Sequence, residues 1–188
     1  MSPFYLIRHT QVEVKPDIPS TEWLVSEHGR IQTQKLAAQI DPLPTLILTS
    51  IEPKAIKTGE ILGEIWNVPV ENFPNLHEHE RGKNNFISNK QAWHQMVADY
   101  LKNPNELRMG RETAVEAAQR LETAIKSART QFPHELIAFV THGRILTVFV
   151  AQHNSIAPVQ YWRDLTLPAA LQLNLIDYKL QSTINLSQ

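Results

Sequence analysis

The sequence predicts an open α/β fold, on three observations. Short, continuously apolar runs suited to strands buried on both faces alternate with segments whose apolar residues recur at steps of three or four. Polar segments rich in turn-forming residues separate the two. Such alternation gives a sheet with helices packed on it, and ligands then sit outside the carboxyl ends of the strands. At 188 residues with 42% apolar side chains, the chain is enough for one domain, read as residues 1–188, with a substantial core.

The elements follow in order. Phe4 to Ile7 reads as a buried strand that runs straight into Arg8-His9, and Thr10 to Thr21 is a loop. Ser26 caps a helix that carries Glu27 in its first turn and continues to about Ile40, where Asp41-Pro42-Leu43-Pro44 stops it. Leu46-Ile47-Leu48 is a second strand, followed by a helix with Ile61, Leu62, Ile65 and Trp66 on one face. A third short strand lies near Val68 to Phe73, and a helix runs around Gln91 to Leu101. Thr113 and Glu116 form a capping box for a helix whose Val115, Ala118, Leu121, Ile125 and Ala128 share a face. Leu136 to Val140 is a strand, His142-Gly143 a tight turn, and Ile145 to Ala151 a buried helix. Ala170 to Ile176 and Leu180 to Leu186 alternate like antiparallel edge strands.

Charge and composition narrow the function. With 18 basic and 19 acidic residues the net charge is −1, so no nucleic acid or membrane partner is expected, and any phosphate chemistry must concentrate its cations locally. The absence of cysteine excludes disulfides, thiolate metal sites and a cysteine nucleophile, and suits a reducing compartment. The apolar run at Phe4 is too short for a signal core or a membrane span, so the expectation is a soluble, cytoplasmic protein.

Two histidines stand at predicted strand ends, His9 and His142. They converge if their strands are neighbours. A neutral imidazole flanked by Arg8 suits nucleophilic attack on phosphorus, because the guanidinium offers a planar fork for two phosphoryl oxygens. His142, before Gly143 and a helix start, is placed to donate to the same oxygens alongside backbone N–H groups. This chemistry needs positioning and charge but no obligatory metal. The alternating His77 and His79 lack firm carboxylate geometry, and no metal or other cofactor is expected.

Six segments, in order, carry a family likeness: Leu6-Ile7-Arg8-His9-Thr10; Leu24 through Gly29 to Gln32; Thr49-Ser50 through Lys54-Ala55 to Thr58; Leu76-His77-Glu78 with Gly82; Gly110-Arg111-Glu112-Thr113; and Val140-Thr141-His142-Gly143. In these the chain resembles branch 1 of the histidine phosphatase superfamily, which includes phosphoglycerate mutases and α-ribazole phosphatases. The resemblance implies a three-layer α/β/α sandwich with a mostly parallel central sheet and a phosphohistidine intermediate on His9. It further implies that Arg8 binds the phosphoryl group, His142 hydrogen-bonds to it and Glu78 protonates the leaving oxygen. A carboxyl with that task is expected to have a raised pKa, from partial desolvation beside an anion.

The chain also departs from the family pattern. Lys54 stands for a phosphate-binding arginine, Thr10 for the more common glycine and Val12 for a phosphate-contacting threonine. The ammonium keeps the charge but loses the rigid fork. Arg81 and Arg144 are the candidate replacements, and the Thr10 hydroxyl a partial compensation. Trp23, on the loop after His9, is a candidate to stack on the organic part of a small phosphorylated substrate, whereas Trp66, Trp93 and Trp162 read as packing. The expected function is therefore metal-independent phosphomonoester hydrolysis. Mutase-type phosphoryl transfer and a catalytically weak phosphate-binding regulator are the alternatives.

Overall fold

The computed structural model describes residues 3–80 and 86–186. Among them, six strands form one sheet: β1 (Pro3–Arg8), β2 (Leu46–Thr49), β3 (Val70–Asn72), β4 (Ile137–Thr141), β5 (Ala169–Asn174) and β6 (Leu180–Asn185), in the spatial order β3-β2-β4-β1-β5-β6. β3, β2, β4 and β1 are parallel, while β5 pairs antiparallel with both β1 and β6. The helices are α1 (Glu27–Ala37), α2 (Pro53–Trp66), α3 (Lys90–Lys102), α4 (Ala114–Gln131), α5 (Gly143–His153) and α6 (Pro158–Asp164).

The two-residue period of the strands divides the core. Phe4 and Leu6 of β1, with Ile137 and Phe139 of β4, point into a cluster shared with α3, α4, α5 and Trp162 of α6. Tyr5, Ile7, Ala138 and Val140 point the opposite way, onto Leu36 of α1 and Ala55, Leu62 and Trp66 of α2. Hence the central strands have no polar face, and the three-layer sandwich follows from a sheet that must be covered twice.

The boundary signals work as their chemistry requires. Ser26 accepts the Gly29 N–H at 3.0 Å, and the Thr113–Glu116 box is formed in both directions. Some expectations need correction. α1 ends at Ala37 rather than near Ile40, which drops into the core instead. β5 is an interior strand, because its backbone pairs with β1 on one side and β6 on the other; of the two tail strands only β6 lies at the sheet edge. The loop after His9 contains a short 3₁₀ turn at Ser20–Glu22, and α6 was not expected. Seven residues are too few to show a helical period.

Candidate active site

The parallel pairing of β1 with β4 puts Arg8 opposite Thr141, so the next residue on each chain, His9 and His142, emerges at the same sheet end. Their ring centroids are 5.1 Å apart, and the His9 N–H donates to the Thr141 carbonyl at 2.9 Å. Nδ1 of His9 lies 2.7 Å from the Thr10 carbonyl. A carbonyl only accepts, so Nδ1 carries the proton and Nε2 keeps its lone pair. Burial, then the neighbouring His142 and Lys54, and finally Arg8 hold this imidazole well below the usual histidine range, against the opposing Thr10 hydrogen bond. It is neutral at pH 7.

Arg8 lies across the start of α5. Its Nη1 donates to the Leu165 carbonyl at 2.5 Å, while its Nε is buried without a partner. Gly143 makes this approach possible, because a Cβ there would stand 2.8 Å from the Arg8 Nε. Burial lowers the guanidinium to about 10, with Glu78 opposing and Arg144 reinforcing, and it remains a cation at neutral pH.

His142 is completely buried. Its Nε2 lies 2.9 Å from the Ser50 hydroxyl and 3.3 Å from a Glu52 carboxylate oxygen, and its Nδ1 has no partner. Burial pushes its pKa well down, with Glu78 as the main opposing charge.

Glu78 sits at the N-terminus of α5, where its carboxylate accepts the Arg144 and Ile145 N–H groups at 3.1 and 3.0 Å. It also accepts the His79 N–H at 2.9 Å and faces the Arg144 guanidinium at 3.6 Å. Here the expected raised pKa is corrected. Burial does push the carboxyl up, but Arg144, His142 and the His79 and Arg144 backbone N–H groups outweigh it and hold Glu78 well below the usual carboxylate range.

The remaining candidate residues are placed as follows. Lys54 is buried and paired with Glu52, and it donates to the Ser20 carbonyl at 2.7 Å, so its charge is already matched. The Thr10 hydroxyl, expected as a partial compensation in the pocket floor, has its partner in α1. That group is fully buried and donates to the Gly29 carbonyl at 2.8 Å, tying the β1 end to α1. Val12 forms an isolated bridge with Val25. Arg144 is buried beside Glu78, 5.1 Å from the centre of the Trp93 ring, and Arg81 lies outside the described residues. The Trp23 indole N–H donates to Lys15 and Ile18 carbonyls, and its ring packs on Phe86 at 6.1 Å. It thus joins the loop after His9 to the segment before α3. Trp66 and Trp162 are buried in the two cores.

Sequence reasoning missed the residues that support these groups. Ser50 and Glu52 line the site from the β2–α2 turn, two positions apart, and Glu52 stands two residues before Lys54. Arg120 of α4 donates to both Glu112 carboxylate oxygens, at 2.7 and 3.1 Å, and to the Asn75 and His77 carbonyls. Glu112 in turn accepts the Glu80 N–H at 2.9 Å, so the pair clamps the loop that presents Glu78.

Arg120→Ala is expected to cost about 3 kcal/mol in chemical denaturation, because it leaves a largely buried carboxylate without its counter-ion and takes a donor from two carbonyls. The pH dependence gives its sign. Burial raises the Glu112 pKa, but Arg120 and the Glu80 N–H outweigh that and lower it below 4.5. The stabilisation is therefore complete above pH 4.5 and lost as pH falls through the lowered native value. Arg120→Ala should weaken that acid dependence.

The model of the histidine phosphatase superfamily (branch 1) matches residues 4–184. The chain belongs to that superfamily. This histidine phosphatase has no match among curated protein sequences. Among solved structures it is similar to mycobacterial glucosyl-3-phosphoglycerate phosphatase (18% identity, 99% of each chain covered, TM-score 0.76). It is also similar to phosphoserine phosphatase from Entamoeba histolytica in complex with 3-phosphoglyceric acid (16% identity, 100% of this chain and 98% of that chain, TM-score 0.77). A third likeness is to α-ribazole phosphatase from Shigella flexneri (20% identity, 98% and 96% covered, TM-score 0.65). The phosphoglycerate mutase-like fold is shared across the whole length, and the chain is an enzyme of the histidine phosphatase class.

Proposed function

We propose that this histidine phosphatase hydrolyses small phosphomonoesters without a metal, through a phosphohistidine on Nε2 of His9. The observation that carries the reading is a neutral imidazole with Nδ1 held by a carbonyl, facing His142 beside the Arg8 guanidinium and the start of α5. Nε2 attacks phosphorus as the ester P–O bond breaks, while Arg8 and the first N–H groups of α5 take up the charge on the phosphoryl oxygens. Glu78 gives its proton to the departing oxygen. Water then attacks phosphorus, Glu78 takes a proton from it, the P–N bond breaks and its electron pair returns to Nε2.

Glu78 must gain its proton in the substrate complex. A phosphoryl dianion competes for the Arg144 and Ile145 N–H groups and places negative charge beside the carboxylate, and both effects raise its pKa. Hydrolysis is favoured over mutase-type transfer because Lys54 is neutralised by Glu52, leaving less positive charge to hold a second phosphate. The three compared structures are named as phosphatases of glucosyl-3-phosphoglycerate, phosphoserine and α-ribazole, which supports a small phosphorylated substrate. Trp23, joined to Phe86, is proposed as a wall for its organic part.

A panel of phosphomonoesters assayed in the presence of a chelator tests the reading. At least one is expected to release phosphate at an unchanged rate with and without chelator. No turnover of any above background would instead favour the phosphate-binding regulator. The low His9 pKa adds a pH expectation. The nucleophile is present above that pKa and lost as pH falls through it, so the acid limb of kcat/KM assigned to His9 lies well below 6.5.

A further inference from the structure

Glu52 stands at the N-cap position of α2, yet its side chain makes no capping hydrogen bond. It is 7% exposed, and its carboxylate turns into the site instead. Oε1 accepts the Glu78 N–H at 3.0 Å and lies 3.3 Å from Nε2 of His142, while Oε2 binds the Lys54 ammonium. The residue thus touches three groups of the site and none of its own helix's free donors.

We infer that Glu52 is a positioning residue for His142: it holds the Nε2 side of the ring so that, when a phosphoryl group occupies the site, His142 carries a second proton and presents Nδ1–H to a phosphoryl oxygen. This rests on the proposed phosphohistidine chemistry. Nδ1 is the ring's remaining nitrogen, buried and unpartnered, which is the atom such an oxygen would satisfy. The groups facing His142 are Ser50 and Glu52 from the β2–α2 turn, Lys54 from the start of α2, His77 and Glu78 from the loop after β3, His9 from the end of β1 and Arg144 from α5. Burial and the cations Lys54 and Arg144 keep the ring neutral against Glu78. An incoming phosphoryl dianion reverses that balance, and the proton, drawn from solvent, goes to a ring that already has a carboxylate on its other nitrogen. The arrangement follows the rule that one ring nitrogen's partner decides what the other nitrogen does. A simple counter-ion to Lys54 would not require the contact with His142.

The test is the ¹⁵N spectrum of histidine-labelled wild-type protein with and without orthovanadate, the His142 signals being assigned by their loss in His142→Gln. With vanadate, both His142 ring nitrogens are expected in the protonated range, against one without it. In Glu52→Gln the ring stays singly protonated, and the alkaline limb of the kcat profile, where the imidazolium is lost, moves down by about one pH unit or more. A wild-type His142 that stays neutral with vanadate overturns the inference, as does a Glu52→Gln protein with unchanged spectra and profile. The wild-type spectra do not depend on the variant's folding. They need no turnover either, so they decide whether His142 gains its second proton even where an unlabelled His9 removes the phosphohistidine reading, and the Glu52→Gln spectra then decide the role of Glu52.

Discussion

His9→Ala is expected to release phosphate from any substrate of the wild-type enzyme at least about a thousandfold more slowly, with the same near- and far-ultraviolet circular dichroism. The size follows from the geometry. Nε2 of His9 is the free lone pair at the β1 end, and the nearest alternative, the His142 ring, has its Nε2 facing Ser50 and Glu52. Without His9, water would have to attack the ester directly, with the leaving group and the nucleophile supplied in one step. The fold should tolerate the change, because β1 is anchored by its backbone register to β4 and β5 and by the Phe4–Ile7 side chains in both cores. A loss under tenfold would place the nucleophile elsewhere.

Arg8→Ala is expected to lower kcat/KM by about 10² to 10³, and Arg8→Lys to recover little of it. Among the buried cations of the described residues, Lys54 is matched by Glu52 and Arg144 faces Glu78, whereas Arg8 forms no ion pair. An ammonium at residue 8 supplies charge but not two parallel N–H groups. Gly143→Ala should act in the same direction with smaller size, since its Cβ would push the guanidinium out of position. The check is steady-state kinetics together with vanadate inhibition; an Arg8→Lys enzyme with wild-type kcat/KM would show that charge alone suffices.

Much of this arrangement was legible in the chain. β1 and β4 are continuous apolar runs, and a residue that follows such a run is placed at a sheet end whatever the topology. Their adjacency was not legible. It depends on pairing between segments far apart in sequence, which no local pattern encodes, and it is what puts His9 against His142. Glu78 illustrates a second limit. Its position in a family-like motif was readable, but its protonation state is set by Arg144 and by the free donors of α5, which only the folded chain brings to it. Thr10 shows a third, because a hydroxyl beside the nucleophile looks available in sequence and is spent on the Gly29 carbonyl in the structure. Glu52 could not be picked out, because nothing local in the sequence tells one turn carboxylate from another; its turn into the site depends on His142 and the Glu78 N–H, which only the folded chain brings to it.

The central claim is that phosphorus is carried on the His9 ring. Mixing enzyme with a phosphate-labelled substrate, quenching in alkaline denaturant and mapping the adduct by mass spectrometry tests it directly. A label on the peptide that holds His9, stable in base, lost in acid and missing from His9→Ala, is the predicted result. Turnover with no trapped label under any quench time, or a label on another residue, would contradict it.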